Sequence, residues 1–261
     1  MSTGTKKSKS SGHRNELRRS KSTSRKYILN EGTKFIISEG YNTARTNLMF
    51  SLSQSPRKVV AFTSASPAEG KSTNCLNMAI TLASTGAKVI LLDLDLRKPV
   101  QHSLLKVTRA RGASTLLSGM CTVSEAIVKD VRPNLDLVPS GPIPPNPAEL
   151  LSSPNTGKLI EVLQAHYDYI LIDTPPVNVV SDSQLLNDYI SGIVFIIRDG
   201  YTKHTDLQRA LSQIKLANGK VLGFMKTACQ VSGSSGYYKK SYYNYNYSYS
   251  EPTSDSAKAD N

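Results

Sequence analysis

The stretch Ala61-Phe-Thr-Ser-Ala-Ser-Pro-Ala-Glu-Gly-Lys-Ser-Thr-Asn74 decides the fold. An apolar run at residues 59–62 predicts a buried parallel strand, and the apolar periodicity of residues 75–83 predicts a helix. Between them lies a loop of small residues that ends in Gly-Lys-Ser-Thr. This order of strand, loop and helix predicts a phosphate cradle, because the first N–H groups of a helix are free and its dipole favours an anion.

Two side chains of this loop carry the predicted chemistry. Lys71 can reach the β- and γ-phosphates of a nucleotide, and the hydroxyl of Ser72 can ligate Mg²⁺. Ala65 stands where the common P-loop has its first glycine, which costs little if the backbone there keeps a negative φ. A chance Gly-Lys-Ser-Thr is the alternative, and the flanking strand and helix disfavour it.

Length and composition allow one domain of about 200 residues with a tail at each end. We expect a basic tail at residues 1–30, a P-loop domain at residues 31–230 and a tyrosine-bearing tail at residues 231–261. The three cysteines are scattered, which favours a reducing cytosol over a disulfide framework or a zinc site. No apolar run approaches the ~18–20 residues of a membrane span, and the basic N-terminus lacks the apolar segment of a secretory signal.

Positive charge is concentrated at the N-terminus. Residues 1–26 hold nine Lys and Arg residues against one Glu, which accounts for +8 of the net charge of +12. This segment is predicted to be disordered, and three interpretations stay open. It is a solvated tail, it is attracted to an anionic membrane surface, or it contacts nucleic acid. Nucleic acid is the least favoured partner, because no aromatic side chain interleaves the charges.

Carboxylates follow two apolar runs. Residues 89–92 deliver Asp93 and Asp95 to a strand end, where open α/β sheets bind ligands, and strand alternation places both on one side. Two carboxylates beside a phosphate site suit Mg²⁺ and a base that takes a hydroxyl proton. Residues 169–173 end in Asp173, in the manner of a Walker B strand. Solvated strand-end acids are the alternative, which the apolar strands disfavour.

Strand and helix patterns alternate along the rest of the domain. They predict an α/β fold with a doubly wound, mainly parallel sheet. Further strands are expected at residues 135–138, 192–197 and 220–225, and helices at residues 35–53, 114–129, 156–165, 181–189 and 205–217.

The C-terminal tail holds more than half of the thirteen tyrosines. Serine and glycine keep this segment flexible, and it has no aliphatic partners for a core. An exposed kinase acceptor explains it better than the alternative, a self-associating low-complexity segment. The predicted phosphoacceptors are Tyr237, Tyr238, Tyr242, Tyr243, Tyr245, Tyr247 and Tyr249.

Residues 35–250 together resemble the bacterial tyrosine kinases of capsule and exopolysaccharide synthesis, in their separate cytoplasmic form. The motifs that carry the resemblance are the P-loop, the Walker A′ run Leu91-Leu-Asp-Leu-Asp-Leu-Arg97, the Walker B run Ile170-Leu-Ile-Asp-Thr-Pro-Pro176, Pro144-Pro-Asn-Pro-Ala-Glu-Leu150 and the tyrosine cluster. The MinD and ParA partition ATPases are wider relatives that share the A′ strand and lack the tyrosine tail. A positioning ATPase without kinase activity is therefore the alternative function.

The resemblance implies ATP and Mg²⁺ as cofactors and assigns residues to them. Lys71 and Thr73 would hold phosphates, and Ser72 and Asp93 would bind Mg²⁺, with Asp173 also at the metal. Ala68 stands where the family usually has glycine. The nucleotide-binding residues implied in this way are Ala68, Glu69, Gly70, Lys71, Ser72 and Thr73.

The resemblance also implies autophosphorylation of the tail tyrosines, in trans, within a ring-shaped homo-oligomer. Lys71, Asp93, Asp95 and Asp173 would be the catalytic residues, and either Asp93 or Asp95 would accept the tyrosine proton.

An oligomerisation motif, Glu-x-x-Arg-x-x-Arg, marks the first helix of the family. Here it contains Glu39 and Arg45, but Asn42 replaces the first arginine and cannot form a bidentate pair with a carboxylate, so ring size stays open. The family further implies a membrane-bound chain-length modulator as activator and a cognate tyrosine phosphatase as partners. The implied location is the cytoplasmic face of the cell membrane.

Overall fold

A computed structural model describes residues 25–229, which fold around a seven-stranded sheet. The strands are β1 (Val59–Ser64), β2 (Val89–Asp93), β3 (Val128–Arg132), β4 (Leu135–Val138), β5 (Tyr169–Asp173), β6 (Gly192–Arg198) and β7 (Val221–Thr227). Their order is β3-β4-β2-β5-β1-β6-β7, and β3 at one edge is antiparallel to β4 whereas the other neighbours are parallel. The predicted doubly wound, mainly parallel α/β fold is confirmed.

Helices cover both faces of the sheet. They are α1 (Phe35–Ser51), α2 (Lys71–Ala83), α3 (Gln101–Leu105), α4 (Ala113–Leu117), α5 (Val123–Ala126), α6 (Pro147–Ser152), α7 (Pro154–Gln164) and α8 (His204–Leu216). One apolar cluster joins the sheet to α1, α2 and α3, and a second joins the opposite face to α4 through α8. Every residue of β1, β2 and β5 is buried, which is why these strands read as continuous apolar runs.

The three central strands bring the predicted site together. Because β5 pairs in parallel with both β2 and β1, their carboxyl ends meet at one edge of the sheet. Asp173 is aligned with Asp93 on one side and with Phe62 on the other. The loop after β1 and the acids after β2 and β5 therefore lie side by side.

Two predicted helices are wrong in part. The helix expected at residues 114–129 is divided into α4 and α5, and it ends where β3 begins. Gly119 takes a left-handed φ of 75°, and Thr122 caps a new helix by accepting a hydrogen bond from the amide of Glu125. The helix expected at residues 181–189 is only a 3₁₀ turn at Gln184–Leu186, and two side chains of this segment, Asp182 and Asn187, bond to residues outside it.

The two tails predicted from the sequence extend beyond the described residues. The tyrosine cluster and almost all of the basic segment lie outside residues 25–229. The described N-terminal residues contact the domain: Arg25 donates to the carbonyl of Ser103 at 2.8 Å, and the amide of Leu29 donates to Oδ1 of Asn77 at 3.0 Å. Within residues 25–229, none of the helices is both long enough and apolar enough to cross a membrane.

Candidate active site

The phosphate loop has the backbone shape that its sequence predicts. Gly70 is the N-cap of α2 with a φ of 90°, in the left-handed region that favours glycine. The helix bonds of α2 begin with the amide of Asn74 donating to the carbonyl of Gly70, so the amides just before Asn74 are available to an anion. Ala65 is not among the residues with positive φ, which explains why alanine is tolerated there.

Ala68 is the strained position of the loop. Its φ of 66° lies in the left-handed region, where an L side chain is disfavoured. Glycine is therefore the natural residue at this point, in keeping with the family pattern. The guanidinium of Arg198 donates to the carbonyl of Ala68 at 2.8 Å and holds the loop in this conformation.

Glu69 braces the loop with its side chain. It is buried, one carboxylate oxygen accepts from the amide of Ser66 at 2.9 Å, and the other accepts from the hydroxyl of Thr202 at 2.7 Å. Both carboxylate oxygens are thus engaged within the protein. A phosphate would therefore be bound by the backbone amide of Glu69 and not by its side chain.

Lys71 lies between two of the predicted acids. Its ammonium nitrogen is 2.8 Å from Oδ2 of Asp95 and 3.3 Å from Oδ1 of Asp173. It also donates to the hydroxyl oxygen of Ser72 at 3.2 Å. Asp95 is further held through Oδ1, which accepts from the amide of Lys98 at 2.9 Å. The structure thus joins the P-loop lysine to the acids that follow β2 and β5.

Asp93 and Asp173 share a neighbour that the sequence did not reveal. Oδ2 of Asp93 accepts from the amide of Gln101 at 3.1 Å, and Oδ2 of Asp173 accepts from the side-chain amide of Gln101 at 2.9 Å. All three residues are fully buried. The second oxygen of Asp93, Oδ1, is also buried and has no hydrogen-bond partner among residues 25–229.

The charges of the site do not balance. Burial alone would lower the pKa of Lys71, but the charges of Asp173 and Asp95 outweigh it and raise that pKa above its usual value. Burial raises the pKa of Asp93 far above its usual value, and the charge of Asp173 adds to this. Burial also raises the pKa of Asp173, although Lys71 opposes the shift. One ammonium for three buried acids leaves a site that favours a further cation.

The predicted metal ligands suit Mg²⁺. Ser72, Asp93 and Asp173 offer hard oxygen donors, and the unpartnered Oδ1 of Asp93 is an acceptor that a cation or its bound water would satisfy. Residues 25–229 contain no cluster of three or more His, Cys, Asp and Glu side chains gathered as a metal site. Mg²⁺ usually takes one or two carboxylates together with substrate phosphates and waters.

Helix α1 carries the predicted oligomer motif and also contacts the P-loop helix. Within α1, the side-chain amide of Asn42 donates to Oε1 of Glu39 at 2.7 Å. Arg45 donates to the carbonyl of Thr81, in α2, at 3.2 Å. The outer surface of α1 exposes large apolar side chains, namely Phe35, Ile36, Ile37, Met49 and Phe50.

A hydrogen-bond relay joins α1 to the phosphate loop. The hydroxyl of Tyr41 donates to Oδ1 of Asn74 at 2.7 Å and accepts from the side-chain amide of Asn77 at 2.9 Å. The side-chain amide of Asn74 in turn donates to the carbonyl of Gly70 at 2.8 Å. Helix α1 thus supports the first turn of α2, although Tyr41 and Asn74 lie 33 positions apart in the sequence.

A bidentate ion pair links the segments that follow β2 and β5. Nε and Nη2 of Arg97 donate to the two oxygens of Asp182 at 2.9 and 3.1 Å, and Asp182 is buried. The sequence predicted Arg97 at the carboxyl end of β2, but it did not predict the roles of Asp182, Gln101, Tyr41 and Asn74. Nothing in their local pattern marks them, because each acts through a contact with a distant segment.

The chain is similar in sequence to a known domain family and to known tyrosine-protein kinases. Residues 57–216 match the family described as AAA domain. A putative tyrosine-protein kinase, CapB of Staphylococcus aureus, is 34% identical over 222 residues, which are 85% of this chain and 97% of that protein. The tyrosine-protein kinase YwqD of Bacillus subtilis is 38% identical over 207 residues, which are 78% of this chain and 87% of that protein.

Three solved structures are also similar to this chain. The chimerical protein CapA2B2 is 34% identical with a TM-score of 0.72, over 75% of this chain and 86% of that one. A plasmid partition protein from Borrelia burgdorferi and the septum site-determining protein MinD from Pyrococcus horikoshii are similar in fold alone. They are 18% and 22% identical, with TM-scores of 0.56 and 0.55, and cover 70% and 64% of this chain and 85% and 69% of their own.

Proposed function

The chain belongs to the bacterial protein-tyrosine kinases, within the AAA domain family, and on that premise we propose that it transfers the γ-phosphate of ATP to tyrosines in the C-terminal tail of a neighbouring copy. The observation that carries the proposal is the position of Lys71, 2.8 Å from Asp95 and 3.3 Å from Asp173 at the mouth of a P-loop. Phosphoryl transfer needs little covalent help from the protein and depends on positioning and charge neutralisation. These residues supply both.

The P-loop would hold the triphosphate. Amides of the loop and of the first turn of α2, together with Thr73, would bind phosphate oxygens, and Lys71 would neutralise the β- and γ-phosphates. Ser72, Asp93 and Asp173 would hold Mg²⁺. When bound, the ion neutralises charge that develops on the phosphate oxygens.

Asp95 is the proposed proton acceptor. Asp93 has one oxygen on the amide of Gln101 and one buried oxygen without a partner, which suits a metal-bound role. Asp95 pairs with Lys71 through Oδ2, so a phosphate that draws Lys71 away leaves that oxygen free for the phenol proton. The phenol has a pKa of about 10 and is mostly protonated at neutral pH, so an acceptor is needed as the bond to phosphorus forms.

The proposed acceptors are the seven tyrosines from Tyr237 to Tyr249 inclusive. From residue 231 to Tyr249 there are nineteen residues, which span at most about 65 Å when extended. That reach supports transfer from the site of one copy to the tail of the next. The exposed apolar side chains of α1 support its role as an interface between copies, because such patches mark association surfaces.

The biological setting is also a proposal. By resemblance, the kinase would regulate capsular or exopolysaccharide synthesis and export from the cytoplasmic face of the membrane. Its partners would be a membrane-bound chain-length modulator, whose cytoplasmic C-terminal segment activates it, and a phosphatase that reverses the reaction. The basic segment at residues 1–26 would add attraction to anionic lipid.

An intact-mass experiment tests the proposed activity. The full chain is incubated with MgATP and the proposed activator segment, and both ATP consumption and protein mass are followed. A kinase adds phosphate increments that are absent in Lys71→Met and in a full-length variant with all seven tail tyrosines replaced by phenylalanine. ATP consumption without a change in mass would instead support the positioning ATPase, the alternative that the curated tyrosine-protein kinases disfavour.

A further inference from the structure

Gln101 occupies the centre of the candidate active site without a role in the function proposed above. It is the first residue of α3 and is fully buried. Its side-chain amide donates to Oδ2 of Asp173 at 2.9 Å and to the backbone carbonyl of Ser72 at 3.0 Å. Its backbone amide donates to Oδ2 of Asp93 at 3.1 Å. One residue therefore contacts all three proposed Mg²⁺ ligands.

The orientation of the Gln101 carboxamide follows from its neighbours. Its Nε2 faces two acceptors, the carboxylate of Asp173 and the carbonyl of Ser72. Exchanging the nitrogen and oxygen of the amide would place an acceptor against both, which no hydrogen bond could satisfy. The donor must therefore face Asp173.

This placement has a cost that packing alone does not explain. The other end of the carboxamide, Oε1, is buried and has no hydrogen-bond partner among residues 25–229. A buried acceptor without a donor costs about 1–3 kcal/mol relative to a satisfied one. An apolar side chain of similar length would avoid that cost but would remove the donor from Oδ2 of Asp173 and from the carbonyl of Ser72, so these two bonds are what the amide contributes.

Gln101 and Lys71 each contact one carboxylate oxygen of Asp173. Oδ1 of Asp173 is 3.3 Å from the ammonium of Lys71, and Oδ2 is held by Gln101. Lys71 has other potential partners, since a nucleotide phosphate would draw on the same ammonium. Gln101 then remains the fixed donor that keeps the carboxylate plane of Asp173 in place, and through its backbone it restrains Asp93 as well.

We propose that Gln101 is a positioning residue that fixes Ser72, Asp93 and Asp173 in the arrangement that nucleotide-bound Mg²⁺ requires. It acts on the ligands and touches neither the phosphates nor the acceptor. Partners that orient metal ligands in this way typically contribute 10–100-fold to metal affinity. The inference rests on the proposed function for the identity of the ion, and its test below does not require phosphoryl transfer.

The test compares ADP binding with and without Mg²⁺ in the full chain. Gln101→Met keeps the length of the side chain and removes both of its hydrogen bonds, and Gln101→Glu keeps its shape but places a second carboxylate against Asp173. Gln208→Met, at an exposed position of α8, is the matched control. Calorimetry measures the dissociation constant of ADP in EDTA and across a Mg²⁺ titration, and thermal unfolding confirms that each variant is folded.

In the wild-type chain and in Gln208→Met, Mg²⁺ should tighten ADP binding. In Gln101→Met the affinity in EDTA should stay within about twofold, whereas in Gln101→Glu it should fall, because the added carboxylate also repels the phosphates. In both variants the Mg²⁺ concentration for half-maximal tightening should rise by about 10-fold or more. Excess Mg²⁺ should restore binding in Gln101→Met, which a general loss of structure would not allow.

Three results would overturn the inference: an unchanged Mg²⁺ requirement, an equal loss of ADP affinity with and without the metal, or no effect of Mg²⁺ on the wild-type chain. If wild type consumes ATP without tyrosine phosphorylation but its Mg²⁺ requirement still depends on Gln101, the proposed kinase function fails and the role of Gln101 stands.

Discussion

The ammonium nitrogen of Lys71 lies 2.8 Å from Oδ2 of Asp95. Lysine at this position of a P-loop binds the β- and γ-phosphates of the nucleotide, so the phosphates and Asp95 compete for one cation. In the proposed mechanism, the nucleotide takes Lys71 and thereby releases Asp95 to accept the tyrosine proton. Binding of the donor substrate and readiness of the base are coupled through this contact.

Replacing the base should separate transfer from binding. In Asp95→Asn, transfer to tyrosine should fall by about 10²–10⁴-fold, the usual contribution of a general base. ATP affinity should stay the same or improve, because Lys71 loses a charged competitor. The rate of phosphotyrosine formation measures the first effect, and calorimetric binding of a non-hydrolysable ATP analogue measures the second. An unaffected transfer rate, or parallel losses in both quantities, would show that Asp95 is not the base.

We expect the ionised carboxylate of Asp93 to lower the stability of the metal-free protein. Burial, together with the charge of Asp173, raises its pKa, so protonated Asp93 favours the folded state. The stability that it contributes is fully present below the unfolded pKa of about 3.9 and is lost as the pH rises toward the raised folded value.

Asp93→Asn removes the cost of burying an ionised carboxylate and should stabilise the metal-free protein by about 1 kcal/mol near pH 8. The difference in stability between the variant and wild type should narrow toward about pH 4. It should also abolish transfer, since a proposed metal ligand is gone. Urea unfolding in EDTA over this pH range measures the difference. Asp188→Asn, at an exposed acid, is the control. A less stable Asp93→Asn at high pH would contradict the reasoning.

The relay from α1 should support the start of α2. Burial raises the pKa of Tyr41, so its hydroxyl stays protonated and donates to Asn74. Tyr41→Phe leaves a side-chain oxygen of Asn74 without this donor, which should cost about 1–3 kcal/mol of unfolding free energy and speed hydrogen exchange in the first turn of α2. Urea unfolding and exchange measurements check both.

The control for this change is Tyr27→Phe. The side chain of Tyr27 is 59% exposed, and its contact with Asn77 is made by its backbone carbonyl. Its loss of a hydroxyl should change stability by no more than about 0.5 kcal/mol. Equal effects of the two changes would show that the relay contributes nothing beyond the loss of a hydroxyl.

Asn42 should limit assembly. Its side-chain amide donates to Glu39 in its own helix, whereas the motif implied by the resemblance has an arginine at this position. Asn42→Arg should shift sedimentation toward larger oligomers, because a guanidinium can form a bidentate pair across the interface. Asn42→Lys adds the same charge without the fork and should have a smaller effect. If lysine acts as well as arginine, net charge and not pairing geometry governs assembly.

Much of the site could be predicted because its residues follow buried strands directly. Asp93 and Asp173 end apolar runs that become adjacent parallel strands, and parallel neighbours bring their carboxyl ends to one edge. The glycine and lysine at the start of α2 are likewise local signals. For such residues, position along the chain determines position in space.

Gln101 and Tyr41 could not be predicted for the opposite reason. Gln101 bonds Asp173 across 72 residues of sequence, and Tyr41 bonds Asn74 across 33. Gln101 lies outside the motifs, and a polar residue at the start of a short helix looks like a solvated one. Tyr41 lies within the oligomerisation motif, but at a position for which that motif specifies no residue type. β3 was missed because the edge strand is largely exposed and lacks the apolar run that marks the central strands.

One mixing experiment measures phosphoryl transfer between copies directly. Lys71→Met keeps the tail tyrosines but lacks the phosphate-binding lysine, and a full-length copy with phenylalanine at the seven tail positions keeps the site but lacks acceptors. Each is incubated alone with MgATP and the activator segment, then mixed, and intact masses are recorded. Phosphate should appear on the Lys71→Met copy only in the mixture. Wild-type chains that gain phosphate while the mixed Lys71→Met copy gains none would contradict it.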